Sequence, residues 1–157
     1  MNTINTKMTV LKRISLALTG ILVLTFLTIQ LIPYGHNHTN PAIVAEPNWN
    51  NAQTQKLFMT ACGDCHSNET FWPWYSNLAP VSWMVQHDVE EGRTKLNVSN
   101  WGQSENEADE AAETMQEGEM PPPIFLMVHP EARLSTTEQQ VLIRGLLTTF
   151  GSEHEGS

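Results

Sequence analysis

One pentapeptide constrains this chain more than any other feature: Cys62-Gly63-Asp64-Cys65-His66. Its two thiols are the only cysteines in 157 residues. On a helical turn, residues three apart share a face. Two sulfurs so spaced can reach two vinyl groups along one porphyrin edge, and the histidine that follows can bring an imidazole beneath the iron. The pattern reads as a covalent c-type haem attachment site for one haem, with Cys62 and Cys65 as thioether anchors and His66 as proximal iron ligand. Three other uses of C-x-x-C compete with that reading. A zinc site needs a second ligand pair, and the sequence offers none that is recognisable. A thioredoxin-like redox pair would follow a strand in a βαβ unit, which does not precede this one. A plain disulfide leaves the adjacent histidine without a role.

The compartment follows from the first segment. Ile14 to Ile32 runs for 19 residues without a charge, about 28 Å as a helix and close to the ~30 Å hydrocarbon core. Lys7, Lys12 and Arg13 precede it, and the first carboxylate is Glu46. The positive-inside rule then keeps residues 1–13 cytoplasmic, takes 14–32 through the membrane, and delivers the rest to the periplasm. A cleaved signal peptide has the same charge and hydrophobicity. Against it, the apolar run is long and no small-x-small site follows directly, so an uncleaved single-pass anchor in a bacterial inner membrane is the expectation. Either way the cysteines reach the oxidising side, where c-type haem is attached.

Beyond the anchor, five basic and seventeen acidic side chains leave a net charge of −12. So acidic a domain does not favour nucleic acid or an anionic lipid surface. It suits a redox protein partner with a basic docking face, or simply a solubilising surface.

Residues 33–48 have the Pro, Gly and Asn content of a linker, and 49–151 form the expected haem domain, followed by a disordered tail over 152–157. The pattern within the domain is helical. A helix over 51–62, capped by Asn50 or Asn51, presents Leu57, Phe58, Ala61 and Cys62. A second over 80–91 starts at Pro80, stops at Gly92 and buries Val81, Met84, Val85 and Val89. Arg93 and Lys95 follow it as candidate partners for haem propionates. Ser104 and Glu107 form a capping box for a third helix with Ala108, Ala111, Ala112 and Met115 on one face, ended by Gly118. Ser135 and Glu138 cap a last one over 136–149, with Leu142, Ile143, Leu146, Leu147 and Phe150 as its stripe. Gly145 inside it costs about 1 kcal/mol relative to alanine, a cost that a close helix crossing would explain. The aromatic run Phe71-Trp72-Pro73-Trp74-Tyr75 supplies bulk to cover a haem.

The iron's sixth position has several candidates. Met59 lies too near the motif, and Met84 and Met115 fall on apolar stripes where methionine is ordinarily core. Met120 stands in a proline-stiffened loop, Glu119-Met120-Pro121-Pro122-Pro123, where a thioether can be held at fixed height with little entropy to lose. Met127, His87 and His129 are the runners-up.

CGDCH, the GEMPPP loop and the aromatic Phe58 before the first cysteine resemble a class I c-type cytochrome. The stretches PNWNNAQTQKLFMTACGDCHSNET, WPWYSNLAPVSW, QHDVEEGR and GEMPPP more closely resemble the bacterial haem-binding domain family of membrane-anchored periplasmic proteins. That resemblance implies an all-α, cytochrome c-like fold behind one N-terminal transmembrane helix. It also implies haem c on Cys62 and Cys65, with His66 proximal and Met120 distal. One-electron transfer is the expected function, in a carrier rather than an enzyme. A peroxidase-like site with His87 or His129 as acid–base group, or a gas sensor with a displaceable sixth ligand, is the alternative.

Overall fold

The computed structural model describes residues 2–103 and 107–151, with side chains from residue 9 onward. It divides into two compact units, one of Met1–His38 with Pro73–Gln86, the other of Thr39–Trp72 with His87–Ser157. Every regular element among the described residues is helical, as the sequence pattern requires; a single isolated bridge pairs Ala45 with Asn100. The tail at 152–157 and Ser104 of the expected capping box lie outside the described residues.

The first unit is built on α1 (Asn2–Ile29). Thr9–Ile29 is long and apolar enough to cross a membrane, and none of it is buried by protein. An apolar helix exposed all round is not a core helix of this fold. It ends at Ile29 rather than at Ile32, and it reaches back through the expected cytoplasmic tail to Asn2. The rest of the unit is the chain leaving α1 and the segment 73–86, with its short 3-10 turn Trp74–Asn77.

In the second unit, α2 (Ala52–Ala61) starts at Asn51, whose Oδ1 accepts the amides of Gln53 and Thr54, each at 2.9 Å. That side chain satisfies two of the donors a helix start leaves unpaired. Asn51→Ala is expected to cost about 1 kcal/mol, visible as a lower urea midpoint; an unchanged midpoint would mean that water replaces the cap freely. The single turn α3 (Gly63–His66) follows at once. Next, α4 (Val81–Lys95) begins in the first unit and finishes in the second. Then come α5 (Ala111–Gln116), α6 (Pro123–Val128) and α7 (Thr136–Phe150).

The core lies where α2, α5 and α7 meet: Leu57, Phe58, Leu96, Val98, Ala112, Leu142, Leu146 and Phe150 are all buried. Phe150 stacks on Trp101 with centroids 5.0 Å apart and meets Phe58 edge-on at 6.2 Å. The Ser135–Glu138 capping box forms as expected. Glu107 does not cap through its side chain; it precedes a 3-10 turn, Ala108–Glu110, and pairs with Lys95 instead. Residues 40–48, read from sequence as linker, are tied to this unit: Val44 N donates to Ser99 O at 2.9 Å, and Asn68 Nδ2 to Ala42 O at 3.0 Å.

Two stripes differ from expectation. On α4 the buried residues are Ser82, Gln86, Val89 and Gly92, while Val81 and Met84 are exposed; the helix runs through Gly92 rather than stopping there. On α7, Leu147 is exposed, and Gly145 and Thr149 are buried in its place.

Candidate haem site

The CGDCH segment coils as its spacing demands. Cys62 N donates to Phe58 O at 2.7 Å, closing α2, and the amides of Cys65 and His66 both turn back onto Cys62 O, at 3.2 and 3.0 Å. The loop after the motif is stapled down. Thr70 Oγ1 donates to Asp64 O at 2.6 Å, Phe71 N to Asp64 Oδ1 at 2.8 Å, and Ser67 Oγ to Gly63 O at 2.7 Å. Burial raises the Asp64 pKa above the ordinary carboxylate value, opposed by the Phe71 amide.

His66 is fixed from behind by α4. Its Nδ1 lies 3.0 Å from Gly92 O and 3.0 Å from Leu96 O. Both are pure acceptors, so Nδ1 carries the proton and Nε2 keeps the lone pair. Burial holds the His66 pKa below its ordinary value, against the pull of the two carbonyls. The ring is therefore neutral at pH 7, the state in which imidazole can ligate a metal. Gly92 O also accepts Leu96 N at 2.9 Å, so the histidine uses its second lone pair, and Leu96 O lies just past the end of α4, where carbonyls lack intrahelical partners.

The close approach depends on Gly92. A Cβ on that residue would stand 2.6 Å from Cys65 O and 2.9 Å from Cys65 Cβ. The glycine read from sequence as a helix stop is a contact point between α4 and the motif.

Cys62, His66 and Met120 line one cavity of about 240 Å³. Phe58, Leu96 and Leu146 give it an apolar wall, and Glu107, Glu110 and Glu119 lie on its polar side. Met115 and Met120 also line an adjoining cavity of about 320 Å³, together with Arg133. Cys65 does not line either cavity; it packs against Gly92. No disulfide joins the two cysteines, and burial pushes each thiol up to about 12, the opposite of the lowered value of a thioredoxin-like pair. Among the described residues, no three His, Cys, Asp or Glu side chains gather as a zinc ion would require.

The runners-up for the sixth position are elsewhere. His129 is buried, stacked on Phe125, with Nδ1 2.8 Å from Glu131 Oε1. His87 is exposed and pairs with Glu91 at 3.4 Å, and Met127 is exposed. Arg93 is not a free cation for a propionate: Nε donates to Ser67 O at 2.9 Å, and Nη2 to Thr70 Oγ1 at 2.9 Å and Asn40 Oδ1 at 3.1 Å. It holds the loop behind the motif instead. Lys95 does line the cavity, 2.9 Å from Glu107, which raises its pKa. Met115 packs against the core as its stripe suggests and lines the cavity as well. Sequence reasoning missed Arg133, whose proximity to Met120 depends on how α6 and the chain after it turn back.

His66 and Met120, brought to one apolar-walled cavity, carry an imidazole and a thioether that could hold a metal-bearing prosthetic group. The profile of the haem-binding domain family matches residues 24–148. The chain belongs to that family, and the cofactor this supports is haem. No curated protein and no solved structure matches the chain. The residues fit the group: the uncommitted His66 Nε2 suits iron, and the wall of Phe58, Leu96 and Leu146 suits a porphyrin face.

Proposed function

We propose that this protein is a membrane-tethered c-type cytochrome of the periplasm, carrying one haem held by thioethers to Cys62 and Cys65, with His66 and Met120 as axial ligands. The observation that carries the reading is the meeting of Cys62, His66 and Met120 on one cavity, although 54 residues separate the last two. Bound there, the haem supplies reversible one-electron exchange. The protein's part is to set its terms. Hydrogen bonds from His66 Nδ1 to two carbonyls fix the ring and strengthen Nε2 as a donor. A thioether opposite would favour ferrous iron, and the apolar wall limits water. Neither His87 nor His129, the acid–base groups a peroxidase reading requires, lines the cavity, so electron transfer is the better supported activity.

Two measurements test this. Haem should remain on the chain through acidic organic extraction in the wild type and become extractable when both cysteines are replaced by alanine. Free extraction from the wild type would refute covalent attachment. The oxidised spectrum should show a sulfur-to-iron charge-transfer band that Met120→Ala abolishes. A high-spin wild type would sink His/Met ligation and return the peroxidase reading.

The carrier also needs a partner. With all seventeen carboxylates in the second unit, a basic docking face is expected. The second-order electron-transfer rate with a basic redox protein should fall as ionic strength rises. A salt-independent rate would leave the acidity as a solubility feature.

A further inference from the structure

The polarity of the segment 73–86 is inverted. Its buried residues are Ser76, Ala79, Ser82 and Gln86, three of the four polar. Trp74 is 76% exposed, and Leu78, Val81 and Met84 are each about 40% exposed. A water-facing element has the opposite pattern.

The same segment is fastened to the end of α1. Gln30 is the residue after the helix, and its side-chain amide grips the Ala79 peptide from both sides. Nε2 donates to Ala79 O at 3.0 Å, and Oε1 accepts Ala79 N at 3.0 Å. Gly35, at φ +86°, then lets the chain turn against Ser82, where a Cβ would stand 2.7 Å from the Ser82 carbonyl carbon. His38 Nε2 lies 3.0 Å from Ser76 O. Three contacts therefore hold residues 30–38 against 76–82. The Thr9–Ile29 window spans about 31 Å as a helix, matching the hydrocarbon core. Gln30 falls at its boundary.

Charge points the same way. No residue from Thr70 to Gln86 is charged, and the first unit carries none of the seventeen carboxylates. In so acidic a chain, a carboxylate-free face with an exposed indole suits the headgroup level of a bilayer, where tryptophan concentrates.

We propose that Trp74, Leu78, Val81 and Met84 dip into the headgroup–acyl boundary of the bilayer, on the side where α1 ends. The proposal rests on the reading that α1 crosses a membrane, and its test keeps the two apart. Full-length protein is reconstituted into phosphatidylcholine vesicles, with and without bromine on the acyl chains near the headgroup. The ratio of tryptophan emission in the two vesicles is compared between wild type and Trp74→Phe, with haem absorbance checking that the variant is folded. Vesicle flotation of the same samples reports α1 independently. The expected result is that the protein floats, bromolipid quenches its emission, and Trp74→Phe loses most of that quenching. Floating protein whose quenching is unchanged by Trp74→Phe overturns the proposal and leaves the anchor standing. Protein that does not float overturns the anchor and the proposal with it. Unquenched, blue-shifted Trp74 emission would mean that protein, such as a second copy of the chain, covers this face, and would also overturn the proposal.

Discussion

Gly92→Ala is expected to destabilise the haem-binding domain by roughly 2 kcal/mol, although the same change inside an unconstrained helix stabilises by about 1 kcal/mol. The sign reverses because of what the new methyl meets. A Cβ there stands 2.6 Å from the Cys65 carbonyl oxygen and 2.9 Å from the Cys65 Cβ. These are backbone and near-backbone atoms, which cannot rotate away. Either α4 retreats or the CGDCH turn shifts. A retreat lengthens the contacts from His66 Nδ1 to Gly92 O and Leu96 O, both 3.0 Å. The loss of stability should therefore come with weaker haem retention, and Gly92→Val should worsen both. The measurement is urea unfolding of the detergent-solubilised protein beside its haem-to-protein absorbance ratio. A variant as stable as wild type would show that α4 and the motif are not in contact.

This glycine also marks how far the sequence could be read. The capping residues Asn51 and Ser135 and the glycine stop at 118 act within a few residues of themselves, and each is found in its expected role. Met120 reaches the His66 cavity because the loop after Gly118 turns as its composition suggests. Gly92 was misread because a helix stop and a close contact use the same residue, and only the tertiary approach of Cys65 separates them. Arg93 was misread for a similar reason. A lone cation near a haem motif looks like a propionate partner, but its acceptors at Ser67, Thr70 and Asn40 lie 23 to 53 residues away in sequence. The α4 stripe failed on the period rule itself. That rule assumes water outside and apolar core inside, and α4 begins in a segment where exposed positions are apolar and buried ones polar.

Gly145→Ala carries the other large effect, about 3 kcal/mol of destabilisation, and it can be partly undone from across the helix crossing. The Gly145 position faces Thr54 on α2, and an added Cβ would overlap the threonine Oγ1 and Cγ2 and stand 2.9 Å from its Cβ. Thr54 is fully buried, and its β-branched side chain has little rotamer freedom with which to yield. Thr54→Ala removes Oγ1 and Cγ2, the two atoms in the tightest overlap, and leaves only the Cβ contact. By itself that change should cost about 1 kcal/mol, for a buried methyl group. Combined with Gly145→Ala, it should give a double variant more stable than the sum of the single losses by at least about 1 kcal/mol. Strict additivity in urea melts would mean that α2 and α7 do not touch at this point. The crossing matters beyond stability, because α2 brings Phe58 and Cys62 to the cavity and α7 brings Leu146. Their separation is set where Gly145 lets the two helices meet. A Gly145→Ala protein that folds should therefore hold haem less firmly, and Thr54→Ala should restore part of that grip.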